Sequence, residues 1–430
     1  MSSSPTRASR HRSFSTFPIE DDDDDYYPYD PNHPALHGSL TPAVPVARIR
    51  NFSPGPTSLP EAVEAEIMRS CFSSPPNGDR EERFRRLPTI SLSHRSPEFS
   101  EILHKALEST RAVMEIPEEY EVLFVHAGGH GQFAAIPLNL CPTGTETAHY
   151  VINGTWSERA ANEASKYCRP VAIHGPTDPN GTYIGYPSLE GVDPSSKYIY
   201  LCSNETVSGL ELHRLPTGSK VPLVVDASSD VSSKPIDWRG ANVGLYFGCA
   251  SKNIGHPGVT MVVVRKDLLN EANVDICPGV LHYKTNVEAN MVWNTTATFN
   301  VDVLRIVMDW IQSEGGIHAM EEFSIRKAQK FYDVIYGSNG FYSTTFPEEN
   351  GFRSRMNIPF AVGGGDDFLT DRFVIEASER GLVGFRTKTP FGVGSLRASF
   401  YHGVSDEDVD HLVAFMADFA DLHACDYVWR

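Results

Sequence analysis

Between residues 121 and 264, short apolar runs alternate with stretches of helical spacing, and this alternation constrains the fold more than any other feature of the chain. The runs are Glu121 to Val125, Ala148 to Ile152, Pro170 to Ile173, Tyr198 to Cys202, Pro222 to Asp226, Val243 to Gly248 and Val259 to Val264. Each has the length of a strand, and the segments between them carry the period of a helix. Parallel neighbours need a long crossover, whereas antiparallel ones need only a tight turn. Strand, helix, strand in succession therefore predicts a mainly parallel α/β sheet.

The pattern changes after about residue 310. A long helix is expected around His318 to Tyr336, ending at the turn 337–340, with strands at Met356 to Val362 and Ser395 to Tyr401. A final helix opens at Ser405, with Asp408 three residues on in the manner of a capping box, and buries Val409, Leu412, Val413, Met416 and Phe419 on one face. Upstream, Phe99, Ile102, Leu103, Leu107, Val113 and Met114 fall at helical spacing within Pro97 to Ile116. Residues 1–48 hold Ser, Pro, His and the acid run Asp21 to Asp25 but almost no periodic apolar pattern, so they cannot offset the entropy of ordering. The expected organisation is a disordered tail over 1–48, a large domain over 49–310 and a smaller α+β domain over 311–430.

Composition narrows the function. With 55 acidic against 37 basic side chains and a formal charge of -18, the chain is poorly suited to a phosphate backbone, so no nucleic-acid partner is expected. Seven scattered cysteines with no CxxC pair argue against a disulfide framework or a zinc site, and no metal is expected. No run reaches the roughly 18 apolar residues that would span a bilayer, so no membrane partner is expected either. Arg7, Arg10 and Arg12 among serines faintly suggest a mitochondrial transit peptide, but Glu20 and the acid run follow at once. The expected compartment is the cytoplasm, with mitochondrial import as the alternative.

The chemistry concentrates at two points. Asp226 ends the run Pro222 to Asp226, and Lys252 lies 26 residues later in the glycine-bearing turn 248–258. An aldehyde cofactor needs one amine for an imine and one carboxylate beside its ring nitrogen, so that the protonated ring can draw electrons from a substrate carbanion. Two strands ending on one sheet edge supply both, and the pair reads as a pyridoxal phosphate site. Asp226 capping a turn and Lys252 as a solvated surface charge are the bland alternatives. The glycine turn from Ala127 to Gly131 joins a strand to a helix start, where backbone N–H groups and the helix dipole suit an anion, although such turns also occur as bare punctuation. Trp156, after another strand, offers an indole for stacking on a flat ring, or a core side chain. Arg95 and Arg397 are candidate carboxylate clamps through paired hydrogen bonds, or surface ion-pair partners.

Together these segments resemble the phosphoserine aminotransferase family, within the class V aminotransferases of the type I pyridoxal phosphate fold. The resemblance runs in order through Asn51 to Pro56, Ser93 to Arg95, Gly128 to Ala134, Gly154 to Trp156, Asn204 to Thr206, Lys252 to Gly255, Asn294 with Thr295, Ser354 to Phe360 and Arg397 to Ser399. It implies pyridoxal 5'-phosphate as cofactor, Lys252 as imine lysine and general base, Asp226 on the ring nitrogen and Trp156 stacked on the ring. It further implies Gly129 and His130 at the cofactor phosphate, Ser251 and Thr206 beside the cofactor, and Asn294 and Thr295 completing the phosphate cup of a partner subunit in a homodimer. Arg397 falls where the family binds the substrate α-carboxylate, and His94 with Arg95 where it binds the distal anion. The implied reaction passes an amino group from L-glutamate to 3-phosphohydroxypyruvate, in L-serine biosynthesis.

The chain departs from that pattern in places. Ser251 replaces a Gln, Asn294-Thr-Thr-Ala297 replaces an Asn-Thr-Pro-Pro run, His130 replaces a different basic residue or a small one, and Pro390 with Phe391 replace a His-Arg pair. Losing that pair removes charge-assisted bonds worth roughly 1.5 to 3 kcal/mol each. The sequence thus also admits a paralogue acting on a less anionic 2-oxo acid, and, from another class, a noncatalytic scaffold recruited through its acidic tail.

Overall fold

The computed structural model describes residues 48–72, 87–347, 349–386 and 396–428. In chain order the elements are β1 (Arg50–Asn51), α1 (Glu61–Ser70), α2 (Pro97–Val113), β2 (Tyr120–Val125), α3 (Gly128–Leu140), β3 (Thr147–Ile152), α4 (Thr155–Ala164) and β4 (Arg169–His174). There follow β5 (Ile199–Cys202), β6 (Asn204–Glu205), β7 (Leu210–Glu211), β8 (Leu223–Asp226), β9 (Val243–Cys249), β10 (Thr260–Arg265), α5 (Tyr283–Glu288) and α6 (Thr298–Ser313). The remainder is α7 (Gly316–Gly337), β11 (Tyr342–Thr344), β12 (Asn357–Val362), α8 (Asp367–Glu379), β13 (Leu382–Val383), β14 (Leu396–Ser399) and α9 (Asp406–Val428).

Every apolar run read from the sequence enters one seven-stranded sheet, in the order β2-β10-β9-β8-β5-β3-β4. Pairing is parallel from β9 through β8, β5 and β3 to β4, whereas β10 runs antiparallel to both β9 and β2. The mainly parallel expectation holds, with one reversed strand. The central strands β5 and β8 are buried at every position, as expected where helices cover both faces. Helix α2 begins as its sequence dictates: Ser96 Oγ accepts from Phe99 N (3.2 Å), Pro97 takes the first position, and Phe99, Leu103, Ala106, Thr110 and Val113 form its buried stripe. Removing each large apolar side chain from water stabilises by about 1.5 to 3 kcal/mol.

Buried side chains form two clusters. The first extends from Leu59 to Met320 around the seven-stranded sheet, and the second from Ala328 to Phe419 around the three-stranded sheet β11-β12-β14. The second cluster also holds Phe52, because β1 pairs in parallel with β13, Arg50 opposite Leu382 and Asn51 opposite Val383. The expected capping box is present at α9: Ser405 N donates to Asp408 Oδ2 (3.0 Å) and Asp408 N donates to Ser405 Oγ (3.1 Å). Asp408 also pairs with Arg50 Nε at 3.1 Å, which fastens the start of the fold to this helix. Among the described residues, no helix is long and apolar enough to cross a membrane.

Candidate active site

Parallel strands that end together leave their following loops on one edge, where a ligand can be met from several sides. Here the register puts Cys202 opposite Asp226 and Asp226 opposite Phe247, so the loops after β5, β8 and β9 leave the sheet side by side. Asp226 is buried, and its carboxylate accepts from Tyr200 Oη (2.9 Å) and from Ser228 N (2.9 Å). Burial nevertheless raises its pKa above the ordinary carboxylate value, the bonds from Ser228 and Tyr200 pulling the other way. No ion pair reaches Asp226 among the described residues. Its turn is fixed from behind by Ser203 Oγ, which donates to Asp226 O (3.1 Å) and to Asp230 Oδ1 (2.6 Å), and by Lys234, which bridges Asp230 (2.6 Å) and Glu211 (2.7 Å).

Lys252 follows β9 by three residues. Its Nζ donates to the main-chain carbonyl of Pro54 and lies 5.7 Å from the centre of the Tyr401 ring. Gly55 makes this approach possible, because a Cβ there would stand 2.8 Å from Lys252 Cδ, and the glycine has φ +118. Ser251 contributes its carbonyl, which accepts from Thr57 N at 3.3 Å.

The glycine turn meets the same edge. Ala127 adopts a left-handed conformation (φ 79) and opens α3 at Gly128, with no acid in the first turn. Gly129 lies against the ends of β8 and β9: a Cβ on it would be 3.5 Å from Cys249 Sγ and 3.8 Å from Ser228 Oγ. His130 is exposed, with its ring 5.8 Å from Trp156, edge to face. Trp156 sits in the first turn of α4, partly buried, with Nε1 enclosed and without a hydrogen-bond partner. Its backbone N–H donates to Glu205 Oε2 (3.1 Å), while Ser157 N (2.8 Å) and Ser157 Oγ (2.7 Å) donate to Glu205 Oε1. Arg397, buried on β14, donates from Nη1 to the carbonyl of Thr206 (2.9 Å), the residue after Glu205.

Two further expected pairs lie on other loops. Arg95 is exposed on the loop before α2, where its N–H donates to Ser93 Oγ (3.2 Å), and His94 is half-buried beside it. Among the described residues no hydrogen bond, ion pair or ring contact joins either to Lys252, Asp226 or Trp156. Asn294 and exposed Thr295 precede α6, where His126 Nε2 donates to the Thr295 carbonyl (3.2 Å). Pro390 and Phe391 lie outside the described residues.

The residues at the sheet edge fit an aromatic aldehyde that carries an anion. A buried carboxylate without a cation suits a protonated ring nitrogen, Trp156 Nε1 is enclosed and unpaired, and a helix start rich in glycine suits the anion. Several members of the site carry no signal of their own in the sequence. Tyr200 lies inside an apolar run, Glu205 and Pro54 stand inside longer motifs with no role marked for them, and Tyr401 and Pro54 reach Lys252 from sequence separations of 149 and 198 residues.

Comparison with known proteins is consistent with this geometry. The aminotransferase class-V family model matches residues 49–412. The chain is 37% identical over 378 residues to a probable phosphoserine aminotransferase of Caenorhabditis elegans, covering 87% of this chain and 97% of that protein. Among solved structures it is similar to phosphoserine aminotransferase from Bacillus circulans subsp. alkalophilus (TM-score 0.78, 32% identity, 87% of this chain and 99% of that one). It is likewise similar to the pyridoxal-phosphate-bound phosphoserine aminotransferase of Trichomonas vaginalis (TM-score 0.75, 31% identity, 86% of this chain and 100% of that one).

Proposed function

Because the chain belongs to the class-V aminotransferases, we propose that it transfers the amino group of L-glutamate to 3-phosphohydroxypyruvate, giving O-phospho-L-serine and 2-oxoglutarate. The observation that carries the reading is that the likeness to phosphoserine aminotransferases covers nearly their whole length; the placement of Asp226 at the end of β8, beside β9 and the turn that carries Lys252, supports it. Pyridoxal 5'-phosphate is the cofactor, and it supplies an aldehyde for the amine and a protonated ring that draws electrons from the substrate Cα. Lys252 Nζ carries the proton to and from that Cα. Asp226 holds the ring-nitrogen proton with its otherwise uncompensated carboxylate, and Trp156 covers one face of the ring. Gly129 and His130 at the start of α3 take the cofactor phosphate, with Ser251 and Thr206 alongside. Arg397 orients the substrate α-carboxylate, while His94 and Arg95 receive the distal anion.

In this reading the active unit is a homodimer, in which Asn294 and Thr295 of each copy complete the phosphate cup of the other. Exposed Trp293 precedes that segment, and exposed Val280 follows Gly279, which lies against the Trp293 ring; both are apolar side chains such a contact would cover. The reading keeps a large domain over 49–310 and a small domain over 311–430, although Ile311 and Met320 pack into the first core and Phe52 into the second. Free, dispersed cysteines support the cytoplasm as the compartment.

The test is turnover with glutamate as donor against a panel of phosphorylated and unphosphorylated 2-oxo acids. Fastest transfer to 3-phosphohydroxypyruvate, abolished together with the imine absorbance by Lys252→Ala, is the expected result. Faster transfer to an unphosphorylated acid would instead favour a paralogue with an altered distal pocket. Turnover retained by Lys252→Ala would overturn the assignment of the lysine.

A further inference from the structure

The carbonyl that receives Lys252 is itself held by a chain of buried groups reaching back to α7. Pro54 O accepts from Lys252 Nζ and also from Tyr401 Oη, at 2.9 Å. Tyr401 is fully buried, and its hydroxyl in turn accepts from Asn357 Nδ2 at 3.0 Å. The main-chain carbonyl of the same tyrosine accepts from Lys327 Nζ at 2.7 Å. Lys327 lies on α7, fully buried, and its other two N–H groups go to the carbonyls of Phe400 (2.9 Å) and Val404 (2.8 Å), with the Phe323 ring 4.2 Å away.

Placing an ammonium at this depth is costly unless every N–H is used, and here all three close a single turn. No ion pair joins Lys327 to a carboxylate among the described residues. Core packing alone would be served as well by an apolar side chain, which would carry no desolvation cost. What the lysine adds is a fixed geometry for 400–404, and the one side chain of that turn that reaches the sheet edge through a hydrogen bond to Pro54 is Tyr401.

We propose that Tyr401 and Lys327 are positioning residues for the active-site lysine: they hold the Pro54 carbonyl as the berth to which the Lys252 amine returns whenever it is not bonded to the cofactor. The inference rests on the reading of Lys252 given above. A fixed berth keeps the nucleophilic nitrogen at one point from its release by the cofactor until it bonds there again, so less ordering remains to be done in the chemical steps. Tyr401, its hydroxyl braced by Asn357, holds the carbonyl, and Gly55 leaves the room the aliphatic stem of Lys252 needs.

Tyr401→Phe removes the hydroxyl with little change in volume, and full-length protein is used throughout. In cofactor-free protein, competitive acetylation read by peptide mass spectrometry should show Lys252 labelled about three-fold faster relative to exposed Lys105, because its berth is no longer fixed. Reconstitution with pyridoxal 5'-phosphate, followed at the imine absorbance, should slow roughly ten-fold, and kcat should fall by a similar factor with the glutamate KM within about two-fold. Lys327→Met should shift all three readouts in the same direction, and if it does not fold, Tyr401→Phe alone decides. A folded Tyr401→Phe protein with labelling, reconstitution and kcat all within about two-fold of the parent overturns the proposal. Lys252→Ala serves as control: if it keeps the imine band, the assignment of the lysine has failed rather than the berth.

Discussion

At the scale of single residues the site is a set of electrostatic debts left open by the protein. Asp226 is the clearest: its bonds come from neutral donors, and burial raises its pKa. A carboxyl with a folded pKa above its unfolded value binds the proton more tightly when folded, so its stabilising contribution is complete below the unfolded pKa and is lost as pH rises through the folded one. As pH rises through that folded value, the buried carboxyl comes to oppose folding until a cation arrives. Asp226→Asn in cofactor-free protein should therefore leave the Tm at pH 7.5 unchanged or higher, while transamination falls at least about 100-fold. Differential scanning fluorimetry beside a rate assay checks this, and a lower Tm without cofactor would contradict it. The placement of Asp226 and Lys252 at or just after the ends of adjacent strands was legible in the sequence because such residues are unusual at the ends of apolar runs. Tyr200 was not, since a tyrosine inside such a run is indistinguishable from core until its cross-strand neighbour is known.

Elements show a second layer of placement, centred on β6 and the residue after it. Asn204 donates to Asn357 Oδ1 (2.8 Å) and Ser229 Oγ (2.8 Å), Glu205 caps α4 from outside, and Thr206 takes Arg397. A buried carboxylate on a helix N-terminus satisfies N–H groups with no partner inside the helix and meets the positive end of its dipole. Glu205→Gln would turn an amide N–H₂ or a neutral oxygen toward those donors, so a loss of about 1 to 3 kcal/mol is expected. Because α4 carries Trp156, cofactor affinity should weaken in parallel, as read by urea unfolding and by fluorescence titration; unchanged affinity would detach Glu205 from the indole. Long periodic elements such as α2, α7 and α9 were readable, and at α9 the capping box with them. The reversal of β10 was not, because an apolar run has no direction, and the two-residue strands β1, β6, β7 and β13 are too short to show a period.

For the whole molecule, the sequence conveyed the sheet class but not the strand order, which depends on pairings between distant segments. It also gave no sign that the N-terminal segment crosses into the second core. The remaining prediction concerns assembly. Trp293 at 55% and Val280 at 47% exposure should be covered by a second copy, so sedimentation should report a dimer. Trp293→Asp with Val280→Asp should shift it toward monomer and weaken cofactor retention, since Asn294 and Thr295 would no longer reach the other copy's phosphate cup. A monomeric parent with full activity would refute this.

The pairing of β1 with β13 has a further mechanical meaning. Phe52 is clamped in the second core, and Pro54, two residues on, receives the Lys252 amine. Two residues of extended chain span no more than about 7 Å. The amine's resting place is thus on a short leash to the small core, so a displacement there is felt at the reactive nitrogen within one loop's length of slack, and any closure of that core over substrate would reach the lysine as a pull on the leash.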